Sequence, residues 1–337
     1  MRLLERKIRR YEHSRWARDN NRRVLPFAWG LEHIGGRAEE PDPRAWLAAW
    51  AERTVAESDQ WYATEAAPDY HLEGEWLTFT SAVASPWPEN NRVYARFFPA
   101  RKTGPAVLVL PHWNAKPEAY LAVCRWLNAL GITALRLSLP YHDARAVPGH
   151  DRADHLVGPN LGLTLQANRQ AVLDARRCLR WLEQMGYHQL GLLGTSIGSS
   201  IGFITMAHDP AVRAGAFLHV STYFGDVVRT GLTTAHVWES LRTRVTAEEL
   251  RRFWSPISPF PYLGRVRYRR PRILVISGRY DATFLPEFSA ELLMAMRHHG
   301  IEFEAFLMPV GHYTLELPPF SYAAGLRFGT FLFRYLA

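Results

Sequence analysis

An apolar run, a glycine-flanked serine and the start of a helix meet in Leu190-Gly191-Leu192-Leu193-Gly194-Thr195-Ser196-Ile197-Gly198. Four apolar or small residues read as a buried strand, and Ile197 to Ala207 reads as a helix. Between them, Gly194 to Gly198 matches G-x-S-x-G, a pattern in which small residues leave room for a sharp strand-to-helix turn that presents the serine hydroxyl. Five residues with three fixed small ones arise often by chance. The strand before and the helix after make this match a candidate nucleophile rather than a glycine-rich turn.

Outward from this point the chain alternates strand-like and helix-like segments, the signature of βαβ units and a mostly parallel sheet. Upstream lie strand-like Ala106 to Leu110, helix-like Glu118 to Leu130 with Gly131 at its end, strand-like Ile132 to Leu137, and a long helix over Thr164 to Met185. Downstream come strands at Ala214 to Val220, Arg272 to Ser277 and Glu302 to Met308, with helices at Pro286 to His298 and Ser321 to Tyr335. Right-handed crossovers place these strands in one sheet with helices on both faces. Glu75 to Thr80 and Arg92 to Phe98, joined by a Pro- and Asn-rich turn, read as a hairpin. Residues 1–70 read as a helical extension or cap, with Pro43 starting one helix, and 71–337 as the α/β domain. Residues 221–270 break the alternation and read as a lid insertion, with a short helix at Thr246 to Phe253.

A serine hydroxyl needs a histidine to take its proton and a carboxylate to hold that histidine in the right tautomer. Both are expected at later strand ends. Asp281 follows the strand Ile273 to Ser277 in Gly278-Arg279-Tyr280-Asp281, and His312 follows the next strand in Pro309-Val310-Gly311-His312. Asp226 and Glu287 are other acids near loops, but neither sits in such a turn.

In this order, from Pro105 to Ala337, the chain resembles the α/β-hydrolase superfamily, in its esterase, lipase and prolyl-oligopeptidase-like branches. The resemblance implies the α/β-hydrolase fold, Ser196 as nucleophile, His312 as base and Asp281 as its orienting acid. It also implies an oxyanion hole of two backbone N–H groups, for which Ile197 and either Trp113 or Asn114 are the matching positions. Pro111-His112-Trp113-Asn114-Ala115 stands where many esterases are glycine-rich, and the Asn114 side chain could donate as well.

His112, Tyr141 and His142 are expected near the rim as structural or substrate-contacting groups. A metal pair of His142 and Asp143 is not expected, because adjacent side chains on extended backbone point to opposite faces. The insertion's aromatic residues Tyr223, Phe224, Trp238, Trp254 and Phe260, with Trp113, are read either as lining an acyl or aromatic pocket or as the insertion's own core. No metal and no cofactor is implied.

Hydrophobic residues make up 47% and charged residues 21% of the chain, an ordinary globular balance. The net charge is +8, yet only Lys7, Lys102 and Lys116 among 40 basic residues are lysine, so the arginine excess is not read as a nucleic-acid surface. Cys124 and Cys178 lie in helix-like segments and read as free, buried thiols. Met1 to Arg23 lacks an apolar signal region, so a cytoplasmic protein is expected.

The leading expectation is hydrolysis of a small carboxylic ester or related acyl bond. Its rivals are a peptidase of the same fold, a lipid or phospholipid deacylase held at a membrane by the arginine-rich N-terminal helix, and a non-catalytic binding protein. The peptidase is less favoured because such enzymes carry a propeller that the helical N-terminal residues cannot supply, and the membrane contact because that helix has weak apolar periodicity. Sequence leaves the acyl chain, leaving group and oligomeric state open.

Overall fold

The computed structural model describes residues 2–337, and one nine-stranded sheet runs through its centre. The strands are β1 (His71–Glu73), β2 (Trp76–Thr80), β3 (Arg92–Phe98), β4 (Pro105–Leu110), β5 (Thr133–Leu137), β6 (Gln189–Thr195), β7 (Val212–Leu218), β8 (Arg272–Gly278) and β9 (Glu304–Met308). Their spatial order is β1-β2-β3-β5-β4-β6-β7-β8-β9. The first three strands pair antiparallel, as does β3 with β5, and from β5 to β9 every pairing is parallel. Strands β2 and β3 form the expected hairpin, with Trp76 opposite Arg96 and Thr80 opposite Arg92. Strand β1, three exposed residues long, carries no apolar alternation that would announce it.

Twelve helices surround the sheet: α1 (Arg2–Arg18), α2 (Pro43–Ala56), α3 (Ser58–Trp61), α4 (Leu121–Ala129), α5 (Leu161–Gln184), α6 (Ile197–His208), α7 (Phe224–Thr230), α8 (Ala235–Leu241), α9 (Ala247–Phe253), α10 (Leu263–Arg269), α11 (Pro286–His298) and α12 (Phe320–Leu336). Local chemistry sets several of their starts. Asp42 accepts the Ala45 N–H ahead of Pro43, Asn160 accepts the Leu163 N–H, and Thr246 and Glu249 form a reciprocal capping box. The Asn160 cap explains why α5 begins three residues before the expected Thr164. Helix α4 begins later than its apolar pattern suggests, because Tyr120 takes φ 71°.

Successive residues of the central strands feed two cores, as the two-residue period of a strand requires. Val107 and Val109 of β4, with Ala214 and Ala216 of β7, pack against α4 and α12. Ala106, Leu108 and Leu110, with Phe217, pack against α5 and α6 on the opposite face, and that core continues into Leu47 and Trp50 of α2. Residues 221–270 fold as α7 to α10 with short 3-10 turns, and Leu250, Phe253 and Trp254 are buried in the same core. A buried ion pair braces it: Arg145 donates to Asp174 Oδ2 at 2.8 Å and to the Asn90 and Ser138 carbonyls, and both ionic side chains are 0% exposed. Cys124 and Cys178 are free and buried. Among the described residues no helix is long and apolar enough to cross a membrane.

Candidate active site

Ser196 links β6 to α6 at φ 58° and ψ −124°, a backbone conformation that a residue with a Cβ rarely adopts. The turn is held on both sides. The Ser196 N–H donates to Leu218 O at 2.8 Å, and the Ser199 hydroxyl donates to the same carbonyl at 2.7 Å. A Cβ on Gly198 would stand 2.5 Å from Pro111 O and 2.7 Å from Leu110 C, and one on Gly194 would stand 2.7 Å from Gly198 C. Only glycine lets α6 approach the end of β4 this closely, which accounts for the two fixed glycines of the motif.

His312 lies past β9 and Asp281 past β8. The His312 Nδ1–H donates to Asp281 Oδ2 at 3.2 Å, and Asp281 Oδ1 accepts the N–H groups of Thr283 and Phe284 at 2.7 and 2.9 Å. Phe284 stacks parallel to the His312 ring, with centroids 5.6 Å apart. Burial alone would raise the Asp281 pKa, but the His312 charge, then the His219 charge, hold it well below the usual carboxylate range. For His312 burial opposes the charged form. The Asp281 carboxylate outweighs it, with Glu12 and Glu316 adding to the effect, so the His312 pKa is raised above 6.5.

His219 went unnoticed in the sequence. It follows β7 directly at φ 57°, its Nδ1 lies 2.6 Å from Asp281 Oδ2, and its ring centroid is 4.7 Å from that of His312. Its signal in the sequence is its place at the end of a strand before the one that leads to Asp281. The donor atoms of His219, Asp281 and His312 lie within 4.8 Å of one another, as metal ligands would. However, His219 Nδ1 stands 2.6 Å from Asp281 Oδ2 as a close contact without hydrogen-bond geometry, both its ring nitrogens lacking a hydrogen-bond partner among the described residues, whereas two ligands of one tetrahedral zinc stand about 3.3 Å apart. These three groups form a histidine–carboxylate–histidine cluster around one oxygen.

Ser196, Ile197, His112, Trp113, Asn114 and His312 line one cavity of about 620 Å³. Of the expected oxyanion donors, the backbone N–H groups of Ile197 and Trp113 have no acceptor among the described residues. Asn114 is a correction. Its N–H donates to His142 Nε2 at 2.8 Å and its Oδ1 accepts the Ala153 N–H at 2.8 Å, so only its side-chain Nδ2 is left to donate. His142 is thereby a neutral structural group: its Nδ1–H donates to Pro140 O at 2.8 Å, and burial pushes its pKa down to about 4. Trp113 is clamped, its ring 5.8 Å from the parallel His236 ring and under the Arg152 guanidinium, with its Nε1–H donated to Ala153 O. His112 reaches the cavity and is hydrogen-bonded through Nδ1 to the Tyr120 hydroxyl at 2.9 Å.

The other expected substrate contacts lie elsewhere. Tyr141 and His142 are buried behind the rim, Tyr141 edge-on to Trp87 and His155. Tyr223 stacks on Phe260 beneath Arg251, Trp238 packs against the core, and Trp254 is 0% exposed with its Nε1–H donated to Leu161 O. Of the insertion's aromatic residues, Trp254 belongs to the core, Trp238 and Phe260 are partly buried against it and Tyr223 is half-buried, while Phe224, with Trp113, lines the cavity. The apolar wall consists of Val157, Phe224, Val227, Val228, Phe284 and Leu315. A second wall comes from Arg15 and Asp19 of the N-terminal region, with Arg22 just after α1.

No family model matches the chain, and no curated protein is found to be similar to it. Its architecture nevertheless is the α/β-hydrolase fold, shared with solved structures at low sequence identity. An acylaminoacyl peptidase of Pyrococcus horikoshii superposes with a TM-score of 0.60 at 12% identity, over 81% of this chain and 42% of the peptidase. Acetyl xylan esterase 1 of a Thermoanaerobacterium species gives 0.59 at 14% identity, over 84% of this chain and 93% of the esterase. An esterase of Pyrococcus furiosus gives 0.54 at 16% identity, over 79% and 93%. The chain thus spans about two fifths of the peptidases' length but nearly the whole of the esterases.

Proposed function

We propose that this chain is a serine hydrolase that cleaves a carboxylic ester, or a related acyl bond, through an acyl-Ser196 intermediate. One observation carries the reading: Ser196, on a strained strand-to-helix turn, opens into the same cavity as His312, whose far ring nitrogen Nδ1 is committed to Asp281. In that arrangement the Ser196 Oγ attacks the acyl carbon while its proton passes to His312 Nε2. The negative charge forming on the carbonyl oxygen meets the Ile197 and Trp113 N–H groups, each donor contributing about 3 kcal/mol to lowering the barrier. His312 then gives its proton to the departing alcohol, and water, deprotonated by the same histidine, releases the acid and regenerates Ser196. Asp281 stays ionised throughout, which its depressed pKa favours.

The wall of Val157, Phe224, Val227, Val228, Phe284 and Leu315 suits an apolar acyl chain, and half of it comes from residues 221–270, which act as the lid over Ser196. The test is hydrolysis of p-nitrophenyl acetate, octanoate and palmitate beside aminoacyl p-nitroanilides. Expected is ester turnover that prefers short or medium chains; preferential p-nitroanilide cleavage would move the assignment to a peptidase, and a palmitate preference to a lipid deacylase.

A further inference from the structure

Helix α1 is dense in charge, and its contact with the body is made by a carboxylate rather than by an apolar stripe. Ile8 and Glu12, one turn apart, are both buried. The Glu12 carboxylate accepts the Tyr313 N–H at 3.1 Å through Oε1 and 3.0 Å through Oε2, and the Thr314 N–H at 2.9 Å. These two donors belong to the residues immediately after His312. The loop is built around the contact: a Cβ on Gly311 would stand 2.5 Å from Glu12 Oε1 and 2.6 Å from its Cγ, and the Gly311 N–H donates to Thr314 Oγ1 at 2.7 Å. Further along the same segment, Arg15 lies over the Tyr313 ring and Arg22 donates to the Tyr313 hydroxyl at 3.4 Å.

We propose that Glu12 is a positioning residue for His312, so that the N-terminal helix is a working part of the active site rather than an appended cap. This rests on the hydrolase reading above. Two backbone N–H groups donating charge-assisted hydrogen bonds to a buried carboxylate fix the backbone on the C-terminal side of the base, where a shift of about 1 Å can cost on the order of 100-fold in rate. The same carboxylate adds negative charge beside the base. His312 faces Asp281 and His219 from the ends of β8 and β7, Glu12 from α1, Glu316 from the turn after it, and His112 from the loop after β4. Of these, Asp281, Glu12 and Glu316 favour its protonated form.

The test combines ester kinetics with the titration of His312 followed by NMR of 15N-histidine protein, its signal assigned by loss in His312→Ala. Glu12→Gln keeps an oxygen that can accept an N–H but removes the charge. It should fold, lower the His312 pKa and move the acid limb of kcat/KM down with it. Glu12→Ala also removes the acceptors and should lower kcat by about 10- to 100-fold with little change in KM. If Glu12→Ala fails to fold, the Gln variant decides alone. Unchanged His312 titration and unchanged kcat in the folded variants would overturn the proposal. The NMR arm separates the two claims: a His312 titration that shifts in Glu12→Gln, beside a wild type that hydrolyses nothing, would sink the esterase assignment and leave the coupling of Glu12 to His312 standing.

Discussion

Gly198→Ala tests how tightly the nucleophile turn is coupled to the strand that leads to the oxyanion donors. The added Cβ would stand 2.5 Å from Pro111 O and closer still to Leu110 O, where ordinary contact begins at 3.4 Å. Both obstacles are backbone, so no side chain can rotate aside. Either α6 or the Leu110–Pro111 segment must move by about 1.2 Å to bring Leu110 O to ordinary contact. Overpacking of this kind costs about 1–3 kcal/mol, which for a chain of this size lowers Tm by a few degrees and leaves the protein folded. The effect on rate should be larger. The displaced parts carry Ile197 on one side and lead to Trp113 on the other, so the two N–H groups separate and kcat toward p-nitrophenyl acetate should fall on the order of 100-fold. Gly325→Ala is the control: nothing lies within 4 Å of its added Cβ, and it should be neutral or slightly stabilising. Circular dichroism melts and steady-state kinetics read both. A Gly198→Ala protein with a lowered Tm but wild-type kcat would refute the link between this turn and the oxyanion donors.

Because His312 must be neutral to accept the Ser196 proton and its pKa is raised, the acid limb of kcat/KM should lie above pH 6.5. The stability linked to the same shift has the opposite sense, being fully present below the unfolded histidine value and lost as pH rises through the folded one; urea midpoints across that window check it. Asp174→Ala strands the Arg145 charge where both side chains are 0% exposed, so the urea midpoint should report a loss of about 3–5 kcal/mol; a loss below 1 kcal/mol would show that water reaches the arginine. Burial raises the Cys124 thiol to about 12 and the Cys178 thiol well above its ordinary value. A disulfide-exchange reagent at pH 8 should therefore find no fast-reacting thiol in the folded protein and two after denaturation.

The sheet and the Ser196, Asp281 and His312 cluster were legible because each depends on a local pattern. Buried parallel strands are continuous apolar runs, and α/β folds collect functional groups in the loops after them. His219 obeys the same rule at the end of an expected strand, but His312 already meets the need for one base, and no local pattern marks a second histidine beside Asp281. The wall of the cavity was not legible, because the aromatic count of residues 221–270 does not say which rings face inward; Trp254 went to the core and Phe224 to the cavity. The fate of the Asn114 N–H depends on His142, 28 residues away, and no spacing announces that hydrogen bond. Helix α1 was harder still. Its docking residue is a glutamate, and the patterning that reveals packed helices looks for apolar side chains.

The most direct test of Ser196 as nucleophile is labelling with a fluorophosphonate followed by peptide mass spectrometry. The result expected is one adduct, on the peptide containing Ser196, absent in Ser196→Ala and much slower to form in His312→Ala. A folded wild type that stays unlabelled, or an adduct on a different serine, would contradict the assignment of this site.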